Sequence, residues 1–193
     1  MSTLVVVKKN GIACMAADTL TCFGNKKLSA SYDAFPTKML TVGDSYIGLV
    51  GSAAHNLVME SLFSNLKKIP NFKNRLKIFE SFRKLHLRLK DDYFLNPKED
   101  EQDPYESTQM DLFIANHYGI FGVFSLREVF EYKNFWAVGS GGEFALGAMY
   151  AAYNQFDSAE EIAKIGVKAG IEFDDGSAAP VEHYSIELID NGL

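Results

Sequence analysis

The stretch that most constrains this chain is its beginning. Two apolar runs, residues 4–7 (Leu-Val-Val-Val) and 12–17 (Ile-Ala-Cys-Met-Ala-Ala), flank Asn10-Gly11. Asn-Gly suits a two-residue type I′ hairpin, because both central residues must reach positive φ. The runs are continuous rather than alternating, which predicts strands buried on both faces. Such a hairpin sets Ser2 at the end of a rigid strand and brings Asp18 back beside it. Termini ordinarily fray, so a start held this firmly points to a task for it. The expectation is that Ser2, once Met1 is removed, is a nucleophile.

Composition narrows the setting. With 193 residues and 47% hydrophobic content, the chain supports one sizeable domain, taken as residues 1–193. A net charge of −6 argues against nucleic acid as the main partner. Cys14 and Cys22 show no metal-ligand spacing and read as free thiols in a reducing compartment. The early apolar run ends in Lys8-Lys9, unlike a signal peptide, and no stretch approaches the roughly 18 apolar residues of a membrane span. A soluble cytoplasmic protein with no membrane partner is expected.

The remaining elements follow from periodicity and punctuation. A strand through residues 19–23 gives way to a Gly24-Asn25 turn, and residues 26–37 read as polar and irregular. A second hairpin joins 38–42 to 46–50 around Gly43-Asp44-Ser45. Val58, Leu62 and Leu66 recur at helical spacing until Pro70. A second helix over 74–93 places Ile78, Phe82, Leu85 and Leu89 on one face and a basic surface on the other, read first as solvated and second as a dock for an acidic partner or nucleic acid. Residues 95–108 are acidic, contain Pro97 and Pro104 and lack periodicity, predicting a mobile loop within the domain. Strands return at 110–115, 120–124 and 129–132. Helices are predicted over 143–154 and, behind a Ser158/Glu161 capping box, through 171. A final strand covers 183–189. Strands buried on both faces need a second sheet on one side and helices on the other, giving an α+β, four-layer α-β-β-α sandwich.

Several spacings then converge. Ser2 lies sixteen residues before Asp18, whereas Thr3 falls one short. Lys38 stands in Thr37-Lys38-Met39, at the start of a strand. Small residues cluster at Gly51-Ser52-Ala53-Ala54 and again at Gly139-Ser140-Gly141-Gly142, and Asp174 precedes Ser177 by three. In this order the features resemble the proteasome β-subunit and HslV-type peptidase family of N-terminal-nucleophile hydrolases, and within it the bacterial proteasome homologues. The Asp174/Ser177 pair is similar to that of the proteasome branch, and the HslV branch lacks it.

The resemblance implies roles. Ser2 replaces the usual threonine, keeping the hydroxyl but losing the methyl group that restricts χ1, so slower turnover by the same chemistry is expected. Lys38 would keep the Ser2 oxygen reactive, Asp18 would hold Lys38, and the Gly51 amide would serve the oxyanion. Ser140, Asp174 and Ser177 would fix the terminal amine. Thr21, Leu49 and Ala53 fall near the primary specificity pocket, implying apolar or aromatic residues before the cleaved bond. The family assembles as rings, so a homo-oligomeric ring or double ring acting on protein or peptide substrates is implied. An ATPase unfoldase is admitted as partner, and no cofactor is required.

Residue chemistry is consistent with those roles. An α-amino group titrates at about 7.7–8.0, against about 10.4 for lysine, so a terminal serine carries its own base at neutral pH. That requires loss of Met1, because an acylated nitrogen is not basic; serine is small enough to permit the usual removal, without a propeptide. Other readings stay open. Asp18 and Lys38 can be a structural ion pair, and residues 139–142 an ordinary turn. No Walker lysine follows to make that turn a phosphate cradle. Residues 174–177 can simply end a helix or hold a cation, and no metal site is assigned. His55, His86, His117 and His183 lack ligand spacing and read as structural. The alternatives for the whole chain are a non-catalytic ring subunit that keeps Met1, and an amidase for a small molecule.

Overall fold

The computed structural model describes residues 1–98 and 100–189. Its elements in order are β1 (Leu4–Lys9), β2 (Ile12–Ala17), β3 (Thr21–Phe23), β4 (Lys26–Leu28), β5 (Met39–Val42), β6 (Ser45–Val50), α1 (Ala53–Ser64) and α2 (Arg75–Asp91), then β7 (Asp111–Asn116), β8 (Gly119–Val123), β9 (Val129–Tyr132), β10 (Phe135–Val138), α3 (Gly142–Ala152), α4 (Ala159–Phe173) and β11 (Glu182–Glu187). The opening hairpin forms as the dipeptide requires, with φ of 47° at Asn10 and 75° at Gly11. Its register sets Leu4 opposite Ala17.

Two antiparallel sheets face each other. One has the order β10-β1-β2-β11 and the other β5-β6-β7-β8-β9. Three buried apolar clusters fill the spaces between four layers. Leu4, Val6, Ala13, Met15 and Ala17 point from the first sheet to Phe113, Ala115 and Ile120 of the second. Val5, Val7, Cys14 and Ala16 point the other way, to Ala145 and Met149 of α3 and Ile162 and Val167 of α4. On the far side, Ile47, Ile114 and Phe121 meet Met59 and Leu62 of α1 and Ile78, Phe82 and Leu89 of α2. The four-layer α-β-β-α sandwich is present. Continuous apolar runs in β1 and β2 arise because alternate residues serve different interfaces.

Helix starts follow capping chemistry. Ser52 Oγ accepts from Ala54 N, Asn74 Oδ1 from Lys77 N and Ser158 Oγ from Glu161 N, each satisfying an otherwise orphaned amide. The structure departs from the sequence reading at residues 26–28, which form β4 rather than irregular chain. Lys26 and Lys27 are exposed there, so the strand exists through backbone pairing with β3 and leaves no apolar pattern to read. Segment 95–108 contains neither helix nor strand among its described residues. It is tied down at its end: Lys90 Nζ and His86 Nε2 reach Glu106 at 2.6 and 3.1 Å, and Thr108 N donates to Ser125 O at 2.7 Å.

Phe113 is fully buried between the sheets, its ring edge-on to Tyr132. Phe113→Ala is expected to lower unfolding free energy by about 3–5 kcal/mol in urea denaturation, the transfer loss plus the cavity left behind.

Candidate active site

The site is built around Asp18, which follows the last residue of β2. Its amide donates to Thr3 O at 3.1 Å, extending the hairpin ladder by one rung. The carboxylate is fully buried. Oδ1 accepts from Thr3 N at 2.9 Å and Lys38 Nζ at 2.6 Å. Oδ2 accepts from Leu20 N at 3.0 Å and Ala178 N at 3.1 Å. One side chain thus joins the start of β1, the entry to β3, the residue before β5 and the loop before β11. Lys38 is itself buried, at 6% exposure. Burial pulls its ammonium below the ordinary range of 10.5, opposed by the charge and hydrogen bond of Asp18. The unfolded chain therefore binds more protons in the interval below 10.5, and this group's contribution to stability rises with pH there.

A second network holds Ser2. Its backbone N–H donates to Ser140 Oγ at 3.1 Å, and Ser140 Oγ donates to Asp174 Oδ2 at 2.9 Å. Ser177 Oγ donates to the same Asp174 oxygen at 2.7 Å. Ser177 and Thr3 hydroxyls are 2.8 Å apart, and with the Ser177 proton committed to Asp174, Thr3 is the donor. Ser140 sits in the turn between β10 and α3, and Asp174 caps the end of α4, so two helix termini converge on one backbone nitrogen. The turn must contain glycine at 139: with φ at 94°, a Cβ there would collide with the Ser2 carbonyl. Ser2 Oγ donates to the Met1 carbonyl.

A narrow cleft of about 50 Å³ lies beside these networks, lined by Ser2, Thr21, Lys38, Leu49, Gly51 and Ala53. Ser140, Asp174 and Ser177 do not line this cleft and reach it through the Ser2 nitrogen. The residues given catalytic or substrate-binding roles from the sequence therefore line this cleft or are linked to it by hydrogen bonds. Gly51 has φ of 132°, between the end of β6 and the Ser52 cap of α1. The arrangement sets Ser2 and the buried Lys38 on the wall of one cleft, with the Ser2 nitrogen held by a serine–aspartate relay.

The comparisons with known proteins fall on the same architecture. The chain is 42% identical to the bacterial proteasome homologue BPH of Thiobacillus denitrificans, solved in complex with epoxomicin, with a TM-score of 0.91 covering 97% of this chain and 99% of that one. This chain belongs to the proteasome/HslV-type peptidase family. A second structure of the Thiobacillus protein matches at 43% identity and a TM-score of 0.92, over 97% of this chain and 98% of the other. A curated proteasome subunit beta of Nanoarchaeum equitans is 27% identical over 199 residues, 96% of this chain and 93% of its own. HslV of Trypanosoma brucei, at 22% identity and a TM-score of 0.70 over 96% of this chain and 99% of that one, shares the fold. No family model matches the chain. The fold and family are those of a proteasome-type peptidase among the N-terminal-nucleophile hydrolases.

Some contributors escaped the sequence reading. Spacing marks Thr3 only as a rival nucleophile, yet it is fully buried and ties the Asp18 and Asp174 networks together through its N–H and its hydroxyl. Gly170 of α4 leaves room for that hydroxyl, since a Cβ there would strike Thr3 Oγ1. Cys22 and Asn56 also line the cleft. Asn56 Oδ1 and the adjacent His55 Nδ1 are buried without a hydrogen-bond partner. Neither pair carries a spacing signature.

Asp18→Asn would leave the Lys38 ammonium buried without its anion. The expected cost is about 3–5 kcal/mol of unfolding free energy, measured by chemical denaturation beside the parent protein.

Proposed function

We propose that this protein is a proteasome-like endopeptidase whose nucleophile is Ser2, exposed by removal of Met1, working in the cytoplasm inside a ring-shaped homo-oligomer. The observation that carries the reading is the Ser2 nitrogen resting 3.1 Å from Ser140 Oγ in the relay to Asp174, while Ser2 itself lines the cleft with Lys38. Serine rather than threonine chemistry is supported by Thr3, whose hydroxyl is committed to Ser177 in the interior. The ring is supported by kinship with a proteasome subunit and a proteasome homologue.

In the mature chain the neutral Ser2 amine takes the proton from Ser2 Oγ as the oxygen attacks the substrate carbonyl carbon. Lys38 favours the developing alkoxide, and Asp18 keeps that ammonium charged and aimed. The Gly51 amide would meet the tetrahedral oxyanion, a contact worth roughly 3–4 kcal/mol. Collapse breaks the C–N bond; the ammonium returns its proton to the departing amine and an ester remains on Ser2. Water then attacks the ester, giving its proton to the amine, and the carboxylic acid leaves as Ser2 Oγ is reprotonated. Ser140, Asp174 and Ser177 orient the amine throughout. Thr21, Leu49 and Ala53 would receive the side chain before the cleaved bond.

A second reading has one observation in its favour. Met1 is folded onto the cleft, with its carbonyl accepting from Ser2 Oγ and its side chain against Gly176. In a chain that keeps Met1 the Ser2 nitrogen is an amide and cannot act as a base beside its own hydroxyl, so that chain would be a non-catalytic ring subunit.

Intact-mass measurement separates the two: protein lacking Met1 is expected, and uniform retention of Met1 excludes Ser2 catalysis. Ser2→Ala is expected to abolish peptide hydrolysis without altering sedimentation; full activity in that variant would remove Ser2 from the mechanism.

A further inference from the structure

The cleft has two unlike arms. On the Thr21 and Ala53 side it adjoins a groove of about 870 Å³ whose walls include Phe23, Phe35, Met39 and Leu57. On the other side of Met1 and Gly51 lies a recess of about 440 Å³, lined in part by Gln109, Asp111, Ser125 and Ser140. Met1, Val50 and Gly51 border both the cleft and the recess, so the residue to be removed stands at their junction. Loss of Met1 would join them into one passage running past the Ser2 hydroxyl.

Asp111 is the single charged residue lining that recess among the described residues. It is half-buried at the first position of β7 and paired in register with Val50 of β6. Its backbone is therefore fixed by the central sheet. The adjoining wall is also held. Gln109, with φ of 54°, sends Nε2 to Asn96 O at 2.8 Å, and its amide donates to Ser107 Oγ at 2.8 Å. Functional groups mounted on rigid strands select more sharply than groups on free loops.

A peptide acylating Ser2 with its preceding side chain in the apolar arm must send its leaving half the other way, across Gly51 and towards Asp111. We propose that the recess binds the residue immediately after the cleaved bond and that Asp111 selects lysine or arginine there. This rests on the Ser2 peptidase reading and extends it to the leaving side of the substrate. A carboxylate offers about four acceptor positions, so it can meet an incoming ammonium or guanidinium in addition to contacts within the chain. A cation gains Coulomb attraction in a partly desolvated recess, a leucine gains none, and a glutamate is repelled.

The test uses the mature protein lacking Met1 and internally quenched peptides identical up to the cleaved bond, with Lys, Leu or Glu directly after it. Product masses verify the bond. The Lys peptide is expected to exceed the Leu peptide about fivefold in kcat/KM, the scale of one half-exposed charge pair, with Glu lowest. Asp111→Asn should bring the Lys-to-Leu ratio close to one, and Asp111→Lys should reverse the order of Lys and Glu. Hydrolysis by the parent without a Lys preference, or a preference that survives Asp111→Asn, overturns the inference and leaves the Ser2 reading standing. No hydrolysis of any peptide overturns both.

Discussion

The structure depends on a buried carboxylate that is never left short of donors. Asp18 receives three backbone amides and one ammonium. An ionised carboxylate out of water is tolerable only when its charge and its lone pairs are met together. Each donor belongs to a different segment, so satisfying the charge also fixes where those segments lie. The consequence for Ser2 is positional: its neighbour Thr3 is locked to Asp18, and Lys38 is drawn to the same oxygen. A hydrophobic replacement for the ion pair can match its stability, but it would not deliver a cation to the cleft.

Around that anchor the site is made by close approach rather than by a large cavity. Glycines at 139, 141 and 170 let the turn after β10 and the body of α4 come within contact of residues 2 and 3. The Asp174 carboxylate then collects two serine hydroxyls, one of which holds the Ser2 nitrogen. Two carboxylates therefore have separate duties. Asp18 deals with the cation and Asp174 with the polar relay to the nitrogen. The cleft between them is small, and its two arms differ in polarity, which suits a reaction that divides one peptide into two differently directed halves.

Much of this was legible in the sequence where the signal was local. Asn10-Gly11 determines its turn through φ alone, and Ser158 announces a helix because its oxygen meets an amide three residues on. The layer order followed from apolar runs that had to be buried on both sides. Ser2, Asp18 and Lys38 came from spacing read against a family pattern, and the structure brings them together. What could not be read was set by tertiary contact. Thr3 looks like any hydroxyl residue until Ser177, 174 positions away, lies against it. β4 has a polar, exposed surface and owes its existence to pairing. Asn56 borders the cleft and Gln109 the adjoining recess through the meeting of distant elements, without periodicity or motif to mark them.

In the proposed mechanism a freed amine and a hydroxyl on the same residue carry out acyl transfer beside Lys38. Acid quenching during turnover of a slowly deacylating peptide ester, followed by peptide mapping by mass spectrometry, tests it most directly. The acyl group is expected as an ester on Ser2, in chains that lack Met1. An acyl group found on Thr3, Ser140 or Cys22, or on chains still bearing Met1, would contradict it.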